Sequence, residues 1–146
     1  PLYDMIKKRL KDQVEIYYAG EIPDLTPMAK GENGIIIFDD LVLNQSPVIG
    51  QYFIRGRKKG YSSLFISQHF YKIDRIIRLN SNIIWLGRGL MTRDLNMILS
   101  EFPVGLDKKE FAKLYSDVTR KPMNFMMIDV DGRNIRQNIE TIIYEF

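Results

Sequence analysis

Apolar runs and turn residues alternate along this chain in a way that predicts strands joined by helices. Gly34-Ile-Ile-Ile-Phe-Asp-Asp40 sets four consecutive apolar residues after the turn signal Gly31-Glu-Asn-Gly34. An unbroken run of that kind reads as a parallel strand buried on both faces. Ser46 is an N-cap candidate, and Pro47 suits a first helical position. The helix would run to about Lys59 with Val48, Ile49, Tyr52 and Phe53 on its apolar face, and Gly60 would stop it. Further strand candidates are Ser62-Ser-Leu-Phe-Ile-Ser67 and Asn82-Ile-Ile-Trp-Leu86, the latter closed by Gly87-Arg-Gly89. Trp85 is expected in core or interface packing. Before Gly34, Val14-Glu-Ile-Tyr-Tyr18 is the one strand candidate, and Glu21 to Asn33, with Pro23 and Pro27, reads as a long loop.

The remaining pattern is helical until the C-terminal quarter. Leu2 to Leu10 is amphipathic through Tyr3, Ile6 and Leu10. Asp74 to Asn80 is a short helix, and Thr92 is an N-cap candidate for a helix through Leu95, Ile98 and Leu99 to Phe102, ended by Pro103. Asp107 would cap Lys108 to Arg120, with Phe111, Leu114 and Tyr115 facing in. Phe125 to Val130, the turn Asp131-Gly132 and Asn134 to Ile139 form a hairpin candidate. Strands joined by helices make right-handed crossovers, which put their C-termini on one side. The expectation is therefore an α/β fold. Val14–Tyr18, Ile35–Phe38, Leu64–Ser67 and Ile83–Leu86 would share a doubly wound, mostly parallel sheet with a C-terminal β-hairpin. No repeat, low-complexity tract or linker interrupts the chain, so residues 1–146 are expected to form one α/β domain.

The first strand leads into chemistry. Asp39 and Asp40 would leave it at the C-terminal edge, where open α/β sheets place ligands. In phosphate-transferring ATPases this is the Walker B position, where one acid holds Mg²⁺ and the next positions or deprotonates water. A receiver domain, a metal nuclease or a solvated turn would show the same residues. The next strand delivers Gln68 to the same edge, where an uncharged amide can hold a water or a γ-phosphate oxygen, or merely cap a strand in water. A receiver domain would need a phospho-acceptor Asp at that later strand end, and Gln68 stands there instead.

Taken in order, Ile35-Ile-Ile-Phe-Asp-Asp40, Phe53-Ile-Arg-Gly-Arg57, Ser63-Leu-Phe-Ile-Ser-Gln68 and Ile76-Ile-Arg-Leu-Asn80 resemble the genome-packaging ATPases of poxviruses, giant viruses and virophages. Those enzymes belong to the FtsK–HerA group of ring-forming P-loop motors, and the match spans Gly34 to Asn82. The resemblance implies a P-loop NTPase-like, RecA/FtsK-type fold that uses ATP and Mg²⁺. It implies Asp39 as the Mg²⁺ ligand, Asp40 as the catalytic carboxylate and Gln68 as the sensor. Arg57 would be the arginine finger supplied to a neighbouring subunit, with Arg55 in reserve. The implied partners are double-stranded DNA, further copies in a homo-oligomeric ring (hexamer or pentamer), and capsid protein. The implied place is the virion or the viral factory in the host cytoplasm.

One departure from the family pattern matters. No Gly-x-x-x-x-Gly-Lys-Ser/Thr occurs; Gly56-Arg-Lys-Lys-Gly60 has the wrong spacing and follows the acidic strand instead of preceding it. The expectation is a P-loop upstream of Pro1, in which case the segment alone binds ATP poorly, because that loop supplies most phosphate contacts. The alternative is a P-loop-less, non-enzymatic DNA-binding or assembly module of the same fold.

Composition narrows the remaining classes. With 45% apolar residues in 146, the chain can bury a core. No run of about eighteen apolar residues exists to span a membrane. The absence of cysteine excludes disulfides, and with His69 the lone histidine a zinc site is disfavoured. His69 reads as a surface imidazole. A net charge of +3 and a pI near 9.1 say little alone, but the basic residues cluster. Lys58 and Lys59 join Arg55 and Arg57; Lys72, Arg75 and Arg78 surround the Asp74–Asn80 helix. Both groups are DNA-backbone candidates, and equally suit solvated helix ends. Asp129 and Asp131 read as hairpin-turn residues with no metal role, and Met126 and Met127 as core.

Overall fold

The computed structural model describes residues 2–18, 21–41 and 46–146. Two compact units emerge, Pro1–Ile66 and Ser67–Phe146.

In the first unit, α1 (Leu2–Leu10) is a surface helix with no buried residue. β1 (Gly34–Asp39) and β2 (Tyr61–Ile66) pair in parallel, joined through α2 (Pro47–Arg55). The Ser46 hydroxyl accepts the Val48 N–H and Pro47 opens α2, as the sequence predicts. The helix ends four residues earlier than its pattern suggests, and a one-turn 3-10 helix, Gly56–Lys59, completes the span to Gly60. Gly60 takes a φ of +88° and lies against Met28 and the Glu32 carbonyl, a conformation and a fit that both favour glycine.

The inner face of this sheet packs on α2. Phe38, Ile49 and Tyr52 are buried, with Tyr52 edge-on to both Phe38 and Tyr61, centroids 5.5 Å apart in each pair. Tyr52 donates to the Pro23 carbonyl at 3.0 Å, which fastens the long loop; burial, then the nearby Tyr61 and Asp24, raises its phenol above the ordinary 10.0. The outer face differs from the sequence expectation of two buried faces. Ile35 is 74% and Ile37 56% exposed, because their side chains alternate away from α2. Val14–Tyr18 also departs from its predicted strand: it is unpaired, with Tyr17 and Tyr18 exposed. Its apolar–polar alternation suits a strand, but among the described residues no neighbour pairs with it.

The second unit is built on an antiparallel sheet of four strands in sequence order, β3 (Ile83–Leu86), β4 (Met126–Asp129), β5 (Asn134–Gln137) and β6 (Thr141–Glu145). β3 therefore does not extend a parallel sheet with β1 and β2; it pairs antiparallel with β4, matching Ile84 to Ile128 and Leu86 to Met126. Those residues form a core with Leu95 and Ile98 of α4 (Thr92–Glu101) and Phe111 and Tyr115 of α5 (Lys108–Val118). Asp107 caps α5 as predicted, and Glu110 completes a capping box with it. Met91, not Thr92, is the N-cap residue of α4, without a side-chain cap. Met126 and Met127 are buried, as predicted. Trp85 is not in the core: it is 49% exposed on the face opposite Ile84 and Leu86.

The β4–β5 hairpin explains the two acids beside it. Asp129 accepts the Gly132 N–H at 2.8 Å and pairs with Arg136, and Asp131 accepts from the Asn82 amide. Positive φ falls on Arg133 (+52°), not on the Asp131-Gly132 pair. At Gly132 a Cβ would sit 2.5 Å from Asp129 Oδ2, so any larger residue there would have to displace the Asp129 carboxylate.

Candidate functional site

β1 ends at the carboxyl edge of its sheet, where open α/β sheets place ligands. In the parallel register Asp39 faces Ile66, the last residue of β2, so both strands finish at one carboxyl edge. Beyond it the Asp40 N–H still donates to the Ile66 carbonyl at 3.1 Å, while Asp40 itself turns into the left-handed region at φ +51°. Non-glycine residues seldom adopt that conformation, Asp and Asn more readily than others, and it concentrates at functional turns. Both carboxylates are exposed. Asp39 accepts a hydrogen bond from the Tyr3 hydroxyl of α1, a contact with no signal in the sequence beyond a tyrosine on a helix.

Two consecutive exposed carboxylates suit Mg²⁺, which binds one or two protein carboxylates and completes its octahedron with water and substrate phosphate. No group of three or more His, Cys, Asp or Glu residues forms a closed cage among the described residues. The donors present at this edge are the two adjacent carboxylates of Asp39 and Asp40.

Arg55, Arg57 and Lys58 of the first unit are exposed. Lys59 is not free in the same way: its Nζ donates to the Leu25 carbonyl at 2.8 Å and anchors the long loop. Gln68 lies in the second unit, two residues past the end of β2 along the chain, with its side chain exposed. The Ser67 hydroxyl accepts the His69 N–H at 3.1 Å and so sets the turn around Gln68.

Downstream of Gln68 the basic residues divide into two roles. Lys72 and Arg75 are exposed. Arg78 is 8% exposed and forms a two-pronged ion pair with Glu101 while also donating to the Ile73 carbonyl. Its guanidinium lies 5.4 Å from the Phe70 ring centroid. Arg78 is thus a correction to the sequence-based DNA set: on α3 (Arg75–Leu79) it points into the unit and joins α3 to α4. Breaking such a pair from one side typically costs about 3–5 kcal/mol. Helical spacing alone could not separate Arg78 from Arg75.

Sequence reasoning also missed a cationic–aromatic cluster on this unit. The Arg93 guanidinium lies 4.1 Å from the Tyr71 ring centroid, Lys72 Nζ 6.0 Å from it, and the His69 ring 5.6 Å away. His69 is accordingly a partly exposed ring-packing residue. No helix among the described residues is long and apolar enough to cross a membrane.

No protein-family profile matches the chain, and no curated protein matches it either. Solved structures do. The genome packaging NTPase B204 from Sulfolobus turreted icosahedral virus 2, in complex with AMP, superposes with a TM-score of 0.54 at 17% identity, over 74% of this chain and 53% of that one. Its complex with ATP-gammaS gives 0.52 at 16% identity, over 70% and 50%. The chain therefore spans about half the length of these neighbours. At such identities the likeness is one of fold: a mixed α/β architecture with a parallel sheet and flanking helices, shared with a viral genome-packaging NTPase.

Proposed function

We propose that this chain is part of an ATP-driven DNA translocase that packages a viral genome, in the FtsK–HerA group of P-loop motors. The carrying observation is the parallel pairing of β1 and β2, which ends at Asp39 and continues into the left-handed turn at Asp40. The likeness to a genome packaging NTPase determined with AMP and with ATP-gammaS supports a nucleotide as the ligand class, and ATP is the substrate of this reading.

The roles follow from chemistry. Asp39 would hold Mg²⁺, and bound Mg²⁺ would neutralise charge on the phosphate oxygens. Asp40 would accept a proton from the attacking water at its carboxylate, and Gln68 would orient that water or a γ-phosphate oxygen through its amide. Arg57 would reach the nucleotide of a neighbouring subunit, which requires a homo-oligomeric ring. Lys58, Lys72 and Arg75 are exposed cations suited to a DNA backbone read without sequence preference. The phosphate cradle would come from residues outside these 146. Two observations support that assignment: the chain spans about half of its neighbours, and the outer face of the β1–β2 sheet leaves Ile35 and Ile37 uncovered. Capsid protein would be the docking partner, and the virion or a cytoplasmic viral factory the setting.

Steady-state hydrolysis tests this assignment. The longer protein that contains this segment should hydrolyse Mg-ATP faster when duplex DNA is added, while the isolated 146-residue segment should not turn over. A longer protein that binds DNA but never hydrolyses ATP would favour a non-enzymatic assembly module of the same fold.

A further inference from the structure

Asp94 is the least expected charged residue in the second unit. It sits in the first turn of α4 and is 1% exposed. Its Oδ1 accepts the Tyr71 N–H at 3.0 Å, while its buried Oδ2 has no hydrogen-bond partner. A carboxylate is costly to bury without a cation, and the helix N-terminus offsets only part of that cost. A half-satisfied buried acid calls for an account of what its single bond holds.

That bond holds the turn that follows Gln68. Tyr71 is the middle residue of the one-turn helix Phe70–Lys72, three residues beyond Gln68. Ser67 closes the intervening turn from one side, its hydroxyl accepting the His69 N–H and donating to the His69 carbonyl, both at 3.1 Å. Phe70 anchors it from below, buried against Phe102 with ring centroids 6.3 Å apart. Neither contact fixes the backbone of Tyr71. Asp94 does, and its neighbour Arg93 grips the same residue by laying its guanidinium over the ring. Two consecutive residues of α4 therefore clamp Tyr71, one through the main chain and one through the side chain.

We infer that Asp94 is a positioning residue for hydrolysis: through the Tyr71 amide it fixes the direction in which the chain leaves Gln68, and so the reach of the Gln68 amide. This inference rests on the assignment of Gln68 as the phosphate-sensing residue. Small displacements of a positioning group can cost up to about a hundredfold in rate, which makes the inference measurable.

The experiment uses the longer protein and steady-state Mg-ATP hydrolysis with duplex DNA. Asp94→Ala should lower kcat by roughly ten- to a hundredfold with KM for ATP little changed. Asp94→Asn, which keeps an acceptor for the Tyr71 N–H, should restore most of the turnover. Combining Asp94→Ala with Gln68→Ala should lower kcat no further than Gln68→Ala alone, since both changes disable one device. Independently of activity, hydrogen exchange at the Tyr71 amide should accelerate in Asp94→Ala and return towards wild type in Asp94→Asn. If Asp94→Ala does not fold, Asp94→Leu is the variant to use, because apolar volume suits a buried site yet offers Tyr71 no acceptor. Wild-type turnover in Asp94→Leu or Asp94→Ala, alongside a slow Gln68→Ala, would overturn the inference and leave the role of Gln68 standing. So would losses that multiply in the double variant. A Gln68→Ala protein with normal turnover would instead overturn the assignment of Gln68 itself, and this inference with it.

Discussion

Replacing Asp40 by Asn in the longer protein is expected to abolish most ATP turnover while leaving Mg-nucleotide affinity largely intact. The carboxylate stands just past the carboxyl edge of β1, exposed and in a left-handed turn that an Asn side chain adopts as readily as Asp. The substitution therefore keeps the backbone and the side-chain shape and removes only the basic oxygen. If that oxygen takes the proton of the attacking water, its loss should cost about 100- to 10,000-fold in kcat, the usual contribution of a positioned general base. Asp39→Asn should behave differently. Its side chain is assigned to Mg²⁺, so nucleotide affinity in the presence of Mg²⁺ should fall first. Titration of a fluorescent ATP analogue beside steady-state kinetics separates the two variants. Equal effects of both changes on affinity would contradict the division of labour between the two acids.

Arg57→Ala is expected to cost on the order of a thousandfold in turnover if the side chain stabilises charge on a neighbour's transferred phosphoryl group. Arg57 stands exposed in the one-turn helix Gly56–Lys59 immediately before β2. As a mere complement to a helix dipole its removal would cost well under about 1 kcal/mol of stability and leave activity near wild type. Mixing subunits distinguishes the possibilities. Arg57→Ala and Asp40→Asn subunits, each inactive alone, should regain activity when combined, because some interfaces then join an intact site to an intact arginine. Loss without rescue would place the arginine in its own subunit's site. Full activity in the single variant would remove it from the mechanism.

Local signals in the sequence carried the α/β class, the helix starts at Ser46-Pro47 and Asp107, the parallel strand ending in Asp39 and the C-terminal hairpin. Each depends on residues next to one another in the chain: a cap, a proline, an apolar run, a turn. What the sequence left open depends on partners far away in it. Period-two alternation cannot say which strand lies alongside: Val14–Tyr18 alternates like a strand yet is unpaired, and β3, whose pattern suits a sheet with β1 and β2, pairs with β4. β6 carries no strong local signal, being short, exposed or half-buried throughout, and displaced by a bulge opposite Ile135 and Arg136. An apolar run also does not reveal whether both faces are covered, as Ile35 and Ile37 illustrate. The same limit applies to charged residues. Nothing around Arg78, Asp94 or Tyr3 marks them locally; their significance comes from Glu101, the Tyr71 amide and Asp39, reached only through the fold.

Directional movement on DNA tests the central claim most directly. A third strand annealed to duplex DNA is displaced by a protein that travels along the duplex, and its release can be followed by fluorescence. The longer protein should release that strand in the presence of Mg-ATP, fail to do so with a non-hydrolysable analogue, and lose the activity on Asp40→Asn without losing DNA binding. Tight DNA binding with no ATP-dependent release would contradict a translocase and identify a static binding module built on the same fold.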